Sequence, residues 1–328
     1  MAAAPQDGPK AECMSTGKLP VIDISNLAQA GVRKAIDAAC RQWGFFQIVG
    51  HGIDRRVIAS LQQQMRLFFA QPLTVKHEIL RTAENPWGFY DRELTKHTAD
   101  WKQVYDFGPA DGGAMEPQWP VALPDFQSAV EAFYHRCDTV ALELLRIISL
   151  NLGMPARSLD SHFRPAHTSF LRLNYYPRCP TPARPAGLAM ARTGHLGINH
   201  HTDAGAITLL LQDEQPGLEV LHDGDWTLVE PRADALVVNI GDIVQVWSND
   251  QYRAALHRVL ANADAERFSA PFFFNPAYST DYAPLPSTVD AFSPPRYRAI
   301  NWGEFRSRRT AGDYADAGAY HQISHYAH

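Results

Sequence analysis

The chain has 328 residues, 45% of them hydrophobic, enough for one large catalytic domain with a satellite or for two modest domains. Lys and Arg total 30 against 35 Asp and Glu, giving a formal charge of -5 with no block of like sign, so nothing marks a nucleic-acid or anionic-membrane binder. Cys13, Cys40, Cys137 and Cys179 form no C-x-x-C pair, no apolar run reaches the length of a membrane span, and a cytoplasmic protein is expected.

Residues 1–17 are rich in Ala, Pro, Gly and charge and read as a disordered tail. Leu19 to Ile24 then alternates like a short strand. Val32, Ile36, Cys40 and Trp43 recur at helical spacing until Gly44 stops the helix, and Phe45 to Val49 reads as a strand. After the Gly50-His51-Gly52 turn, Asp54 stands at the start of a second helix with Val57, Leu61, Met65 and Phe68 on one face, ended by Pro72. Residues 82 to 124 are less regular, with turn signals at Asn85-Pro86-Trp87-Gly88 and Asp111-Gly112-Gly113. They complete an N-terminal region over 18–124 and are expected to border a substrate pocket, where Trp87, Phe89, Tyr90 and Trp101 could contribute or simply pack in the core. Pro124 and Asp125 open the longest helix, whose stripe of Phe126, Val130, Phe133, Cys137, Val140, Leu144 and Ile147 faces a core. That helix and its connection span 125–164.

From Ser169 onward the period changes to two. Phe170 to Leu173, Ala206 to Leu211, Leu218 to Leu221, Trp226 to Val229, Ala235 to Ile240, Ile243 to Trp247, Ala254 to Val259 and Phe268 to Phe274 read as strands. Turns fall at Asp223-Gly224, Gly241-Asp242 and Asn249-Asp250. Short strands this closely spaced predict a sandwich or jelly roll over 165–278, within an α+β chain that ends in an extension over 279–328.

In Asn199-His200-His201-Thr202-Asp203 an extended backbone projects His201 and Asp203 to the same side, so the two can meet one ion. His257 would supply a second imidazole, leaving three coordination positions for oxygen and an organic chelate, as a ferrous oxygenase needs. A His-x-Asp also arises by chance, and a strand histidine is commonly a satisfied polar residue, so the motif needs company. His200 has the wrong offset from Asp203, and His195 sits in a Gly-flanked loop; neither is assigned to the metal. Arg267 and Ser269 share one face of a strand, where a guanidinium and a hydroxyl suit a carboxylate; the alternative is a solvated strand. Phe273 has the same parity and faces the interior, where it could press on a substrate or pack in the core.

Together with Leu19-Pro20-Val21-Ile22-Asp23, the run Trp43 to Gly52, Asn174-Tyr175-Tyr176-Pro177, Pro216-Gly217-Leu218, Gly241-Asp242 and Ser248-Asn249, these motifs resemble the Fe(II)/2-oxoglutarate-dependent dioxygenases of the plant-type, isopenicillin N synthase-like superfamily. The resemblance covers nearly everything after the tail and implies a distorted double-stranded β-helix (jelly-roll) core flanked by helices. It implies that His201, Asp203 and His257 bind Fe(II), and that Asn174 and Tyr176 join Arg267 and Ser269 in holding 2-oxoglutarate. O2 is then the third reactant and ascorbate an optional reductant. Decarboxylation to succinate and CO2 would yield a ferryl species that takes hydrogen from a small, partly hydrophobic organic molecule, with hydroxylation, desaturation or ring rearrangement as outcome. An alkaloid, phenolic, terpenoid or polyketide intermediate fits that description. Two other readings stay open: a superfamily oxidase that does not use 2-oxoglutarate, which succinate formation would distinguish, and a non-catalytic jelly-roll binding protein. The stretch Ala183 to Gly197 is longer than in many relatives and is expected to shape the entrance.

Overall fold

The computed structural model describes residues 18–110, 115–189, 193–311 and 320–328. The expected tail over 1–17 and the Asp111-Gly112-Gly113 turn lie outside them. Strand β1 (Val21–Asp23) runs parallel to β2 (Phe45–Val49), with helix α1 (Ala30–Gln42) as the crossover. Gly44 makes the reversal from α1 into β2 possible: its φ is +63°, and a Cβ there would sit 2.1 Å from the Arg253 carbonyl oxygen. Helix α2 (Arg55–Phe69) follows, with the Asp54 carboxylate accepting from the Arg56 N–H at 2.7 Å, and then the single turn α3 (Leu73–Lys76).

The region expected to be irregular contains four short strands: β3 (Gly88–Tyr90), β4 (Leu94–Thr95), β5 (Thr98–Ala99) and β6 (Gln103–Phe107). Helix α4 (Phe126–Asn151) then crosses the molecule, and it is followed by β7 (Phe170–Tyr176), β8 (Leu196–His201), β9 (Ile207–Gln212), β10 (Leu218–His222), β11 (Asp225–Leu228) and β12 (Leu236–Ile240). The apolar run Ile243 to Trp247, expected as a strand, is helix α5 (Asp242–Trp247). Its side chains are buried almost all round, so the sequence carries no period to separate helix from strand. Strands β13 (His257–Leu260), β14 (Arg267–Phe274), β15 (Asp281–Tyr282) and β16 (Ile300–Asn301) and helix α6 (Trp302–Arg309) complete the order.

Eight strands form a mixed sheet in the order β1-β2-β12-β9-β14-β7-β6-β3, and four form an antiparallel sheet in the order β11-β10-β13-β8. Alternation along β7 and β14 sorts the side chains of the large sheet. Leu171, Leu173, Phe268, Ala270, Phe272 and Phe274 point to one face, where the core includes Val130, Phe133, Cys137 and Leu144 of α4. Truncating the fully buried Phe272 to Ala there would cost about 3–5 kcal/mol. Residues of opposite parity, among them Asn174, Tyr176, Arg267, Ser269 and Phe273, face a cavity lined also by His201, His257 and Val259 of the small sheet. Phe45, Tyr176, Leu218, Val220, Val237 and Val259 close the two sheets together beside it. Among the described residues, no helix is long and apolar enough to cross a membrane.

Candidate active site

His201 and His257 are register partners on antiparallel β8 and β13, with ring centroids 4.3 Å apart. Asp203 lies just beyond the end of β8, and its backbone is fixed there because its carbonyl accepts from the Asp242 N–H at the start of α5 at 2.8 Å. Its Oδ1 lies 3.8 Å from His201 Nε2 and 3.7 Å from His257 Nε2, and all three side chains are buried. Among the described residues this is the one group of His, Cys, Asp or Glu gathered closely enough to hold a metal ion. His195 and His200 lie outside it. His195 packs on Trp101, with ring centroids 4.7 Å apart, and His200 is pushed down to about 4, first by burial and then by Lys96 and Arg258.

The hydrogen bonds around the three side chains leave the right atoms free. His201 Nδ1 is 2.8 Å from the Asn199 carbonyl and His257 Nδ1 is 3.2 Å from that of Ala255. Placing each ring proton on Nδ1 satisfies both carbonyls and leaves both Nε2 lone pairs for a metal. Asp203 Oδ2 accepts from Thr208 Oγ1 at 2.5 Å and Asn239 Nδ2 at 2.7 Å, so Oδ1 alone faces the imidazoles. Burial, with His257 beside it, depresses the His201 pKa and keeps that ring in the neutral form that ligates. Burial also pushes Asp203 up, but the two imidazoles and the bonds from Thr208 and Asn239 outweigh it and hold the carboxyl below its usual range. Two imidazole nitrogens and one carboxylate oxygen on one side, with the cavity on the other, fit a facially bound divalent iron.

Farther along the same face, Arg267 sits opposite Tyr176 and Ser269 opposite Asn174 on β14 and β7. Arg267 Nη2 donates to Gln212 Oε1 at 2.8 Å and Nε to the Gln215 carbonyl at 3.2 Å, while its buried Nη1 has no partner. Asn174 Nδ2 donates to Ser269 Oγ at 3.3 Å, and Asn174 Oδ1 is likewise buried and unpaired. A buried guanidinium missing an acceptor is costly unless a ligand supplies one, and a carboxylate is its natural complement. The residues present therefore fit both an iron ion and a 2-oxo dicarboxylate.

Comparison with known proteins agrees with this chemistry. Residues 167–276 match the 2OG-Fe(II) oxygenase superfamily, and residues 19–125 match the N-terminal region described as non-haem dioxygenase in morphine synthesis. The chain belongs to the 2OG-Fe(II) oxygenase superfamily. This dioxygenase is 31% identical over 299 residues to jasmonate-induced oxygenase 2 of Arabidopsis thaliana, covering 88% of its own length and 78% of the relative's. It is 33% identical over 300 residues to flavanone 3-dioxygenase 2 of Oryza sativa subsp. japonica, covering 89% and 83%. Among solved structures it resembles JOX2 in complex with 2OG, Fe and JA, with a TM-score of 0.76, 30% identity and coverage of 88% and 84%. A full-length Neurospora crassa protein in complex with alpha-KG and thymine gives a TM-score of 0.80 at 27% identity, covering 92% and 99%. The dioxygenase accordingly uses Fe(II) and 2-oxoglutarate.

The cavity of the dioxygenase measures about 740 Å³, the size of a small-molecule site. Beyond the three candidate iron ligands, its wall includes Trp87 and Tyr90 from the 82–94 segment, the stacked pair Phe170 and Phe273 with ring centroids 4.6 Å apart, and Trp302 and Arg306 from α6. Phe89 instead lies wholly in the core, and Trp101 donates to the Pro177 carbonyl at 3.0 Å. The described part of Ala183 to Gly197 adds no residue to the wall; it lies against the small sheet, where Trp226 Nε1 donates to the Gly187 carbonyl and Arg258 Nη1 to that of Pro185.

Sequence reading missed several residues that build the site. Thr208 and Asn239 orient Asp203, and a polar Asn in the apolar run Leu236 to Ile240 was the available signal. It also missed a buried charge cluster. Arg81 and Arg172 each pair with both Glu93 and Asp106, and Lys102 lies 3.2 Å from Asp100. Burial pushes Glu93 up, but Arg172, Arg81 and Lys102 outweigh it and hold the carboxyl well below the ordinary range. Asp100 is pushed up to about 6, because burial there exceeds the pull of Lys102.

Proposed function

We propose that the chain is an oxygenase of small, partly hydrophobic organic molecules, with His201, Asp203 and His257 as the Fe(II) ligands. Asn174, Tyr176, Arg267 and Ser269 form the berth for 2-oxoglutarate, and Phe273 borders the substrate. The two facing sheets are read as the distorted double-stranded β-helix, or jelly roll, of the superfamily. What carries the reading is the unpaired Nη1 of Arg267, buried on the same cavity wall as a His, Asp, His group whose free donor atoms converge.

When bound, Fe(II) and 2-oxoglutarate supply the oxidising chemistry, with O2 reduced as the co-substrate becomes succinate and CO2. The chain's own residues do the rest. Arg267 and Ser269 hold the far carboxylate, and Gln212 and the Gln215 carbonyl aim the guanidinium. Thr208 and Asn239 keep one oxygen of Asp203 occupied, so the carboxylate presents a single atom. Phe170 and Phe273 make a flat apolar wall that restricts which substrate C–H bond is presented and keeps water away. Hydroxylation, desaturation and ring rearrangement differ in how that bond and its neighbours are held. The names of the relatives, which include a flavanone dioxygenase and a gibberellin oxidase, support a small-molecule substrate.

The test is an anaerobic titration of Fe(II)-loaded protein with 2-oxoglutarate, followed by oxygen and a small-molecule panel. A weak visible charge-transfer band and succinate release are expected. Absence of both would remove the assignment, while oxidation without succinate would point to an oxidase that bypasses 2-oxoglutarate.

A further inference from the structure

The charges lining the cavity do not balance. Glu93 and Asp106 are each shared by Arg81 and Arg172, and Lys102 is matched by Asp100. Arg306 also lines the cavity, yet among the described residues no carboxylate lies within ion-pair reach of it. Its Nη1 donates to the Thr168 carbonyl at 3.0 Å, and its guanidinium carbon lies 5.1 Å from the Phe170 ring centre and 5.8 Å from those of Tyr278 and Trp302. Burial works against the charge, Arg172 adds repulsion, and the nearby Asp106 is already bonded to two other guanidiniums. An arginine held by aromatic rings and one carbonyl keeps several N–H donors unused.

The other cavity arginine without a carboxylate partner among the described residues, Arg267, stands on β14. Arg306 packs on Phe170, which pairs across β7 and β14 with Phe273, six residues beyond Arg267. At about 3.3 Å per residue the backbone of Phe273 is roughly 20 Å along β14 from that of Arg267, so Arg306 packs at the opposite end of this wall from the berth proposed at Arg267. Phe273 is also the register partner of Thr208 on β9, which donates to Asp203, so the stacked rings of Phe170 and Phe273 link the Arg306 end of the cavity to the candidate iron ligands.

We infer that Arg306 is the anchor for a carboxylate on the substrate, so that the preferred substrates are small organic acids with an apolar, ring-sized body. This rests on the function proposed above for the same cavity. The acid end lies against α6, and the apolar body runs along Phe170 and Phe273 toward the metal.

Calorimetric titration with 3-phenylpropanoate, cinnamate and octanoate, each beside its methyl ester and with acetate as a control, tests the assignment. It is run on the chain alone and after anaerobic loading with Fe(II) and 2-oxoglutarate. At least one acid should bind roughly tenfold or more tighter than its ester, the difference a charge-assisted hydrogen bond makes. Arg306→Gln should erase the preference, and Arg306→Lys should restore part of it. Equal binding of acids and esters, no binding by any acid, an equal effect from acetate, or an acid preference that survives in a folded Arg306→Gln protein would overturn the inference. The two readings fail separately. Loss of the charge-transfer band in the loaded wild type counts against the co-substrate assignment, while the comparison of acids with esters on the unloaded chain still decides the role of Arg306.

Discussion

Asn239 donates from Nδ2 to Asp203 Oδ2 at 2.7 Å, on the side of the carboxylate away from His201 and His257. This bond, with that from Thr208, determines which oxygen a metal can take. Asn239→Ala is expected to weaken divalent-metal affinity by roughly tenfold to a hundredfold, the usual effect of losing an outer-sphere hydrogen bond to a ligand. Calorimetric titration with Mn(II) reads it, and an unchanged affinity would mean that the bond does not orient Asp203.

Arg267→Ala should leave metal affinity nearly intact and raise the 2-oxoglutarate concentration needed for half-saturation. Losing the charged partner of a buried carboxylate costs about 2–5 kcal/mol, so a shift of roughly 30-fold or more is expected in the anaerobic absorbance titration. Arg267→Lys should fall between the two, since it keeps the charge and loses the fork that Gln212 and Gln215 hold in place.

Glu93→Gln should destabilise the fold by about 3–5 kcal/mol at neutral pH, because it strips a buried cluster of an anion and leaves three cations, Arg81, Arg172 and Lys102, with Asp106 and Asp100 alone as their carboxylate partners. The sign of the pH effect follows from the direction of the shift. The folded-state pKa of Glu93 lies below its ordinary 4.5, so its stabilisation is complete above that pH and is lost progressively as the pH falls below it. Denaturant melts from pH 7 down to 3 should therefore show a steeper acid loss in the wild type than in the variant. Parallel curves would contradict the burial argument.

Gly241→Ala should weaken the metal site although residue 241 is no ligand. A Cβ there would sit 2.2 Å from the Gly205 carbonyl oxygen and 2.8 Å from that of Asp203, and neither backbone atom can swing aside. The expected cost is about 1–3 kcal/mol in stability, together with reduced Mn(II) affinity. Normal affinity in a variant of normal melting temperature would show that the turn tolerates a side chain.

The site was more legible in the sequence than the ground around it. Parity put Arg267, Ser269 and Phe273 on one face, the family resemblance added Asn174 and Tyr176, and pairing of β14 with β7 sets all five on one wall. The residues that failed to announce themselves did so for physical reasons. Val104, Tyr105, Asp106 and Phe107 are buried in succession, so β6 shows no alternation. Gly194, Gly197 and the polar run Asn199-His200-His201 hide β8 behind a composition typical of loops. Glu93, Asp106 and Arg172 look like ordinary surface charge until chain segments tens of residues apart are folded together. Arg306 lies in a stretch the sequence presented only as a C-terminal extension.

Arg309 has a bearing on how this molecule is made. It is almost fully buried, with Nη1 donating to Asp242 Oδ2 at 2.9 Å and Nη2 to the carbonyl of Thr202, the residue between His201 and Asp203, at 2.7 Å. During synthesis, all of the residues that converge on the cavity from the two sheets leave the ribosome before this arginine does. Until it arrives, the Asp242 carboxylate lacks its buried counter-charge and the His201 to Asp203 segment lacks one of its fasteners. The order of translation thus makes the finished pocket a late event, completed by the last α-helix the ribosome releases among those described.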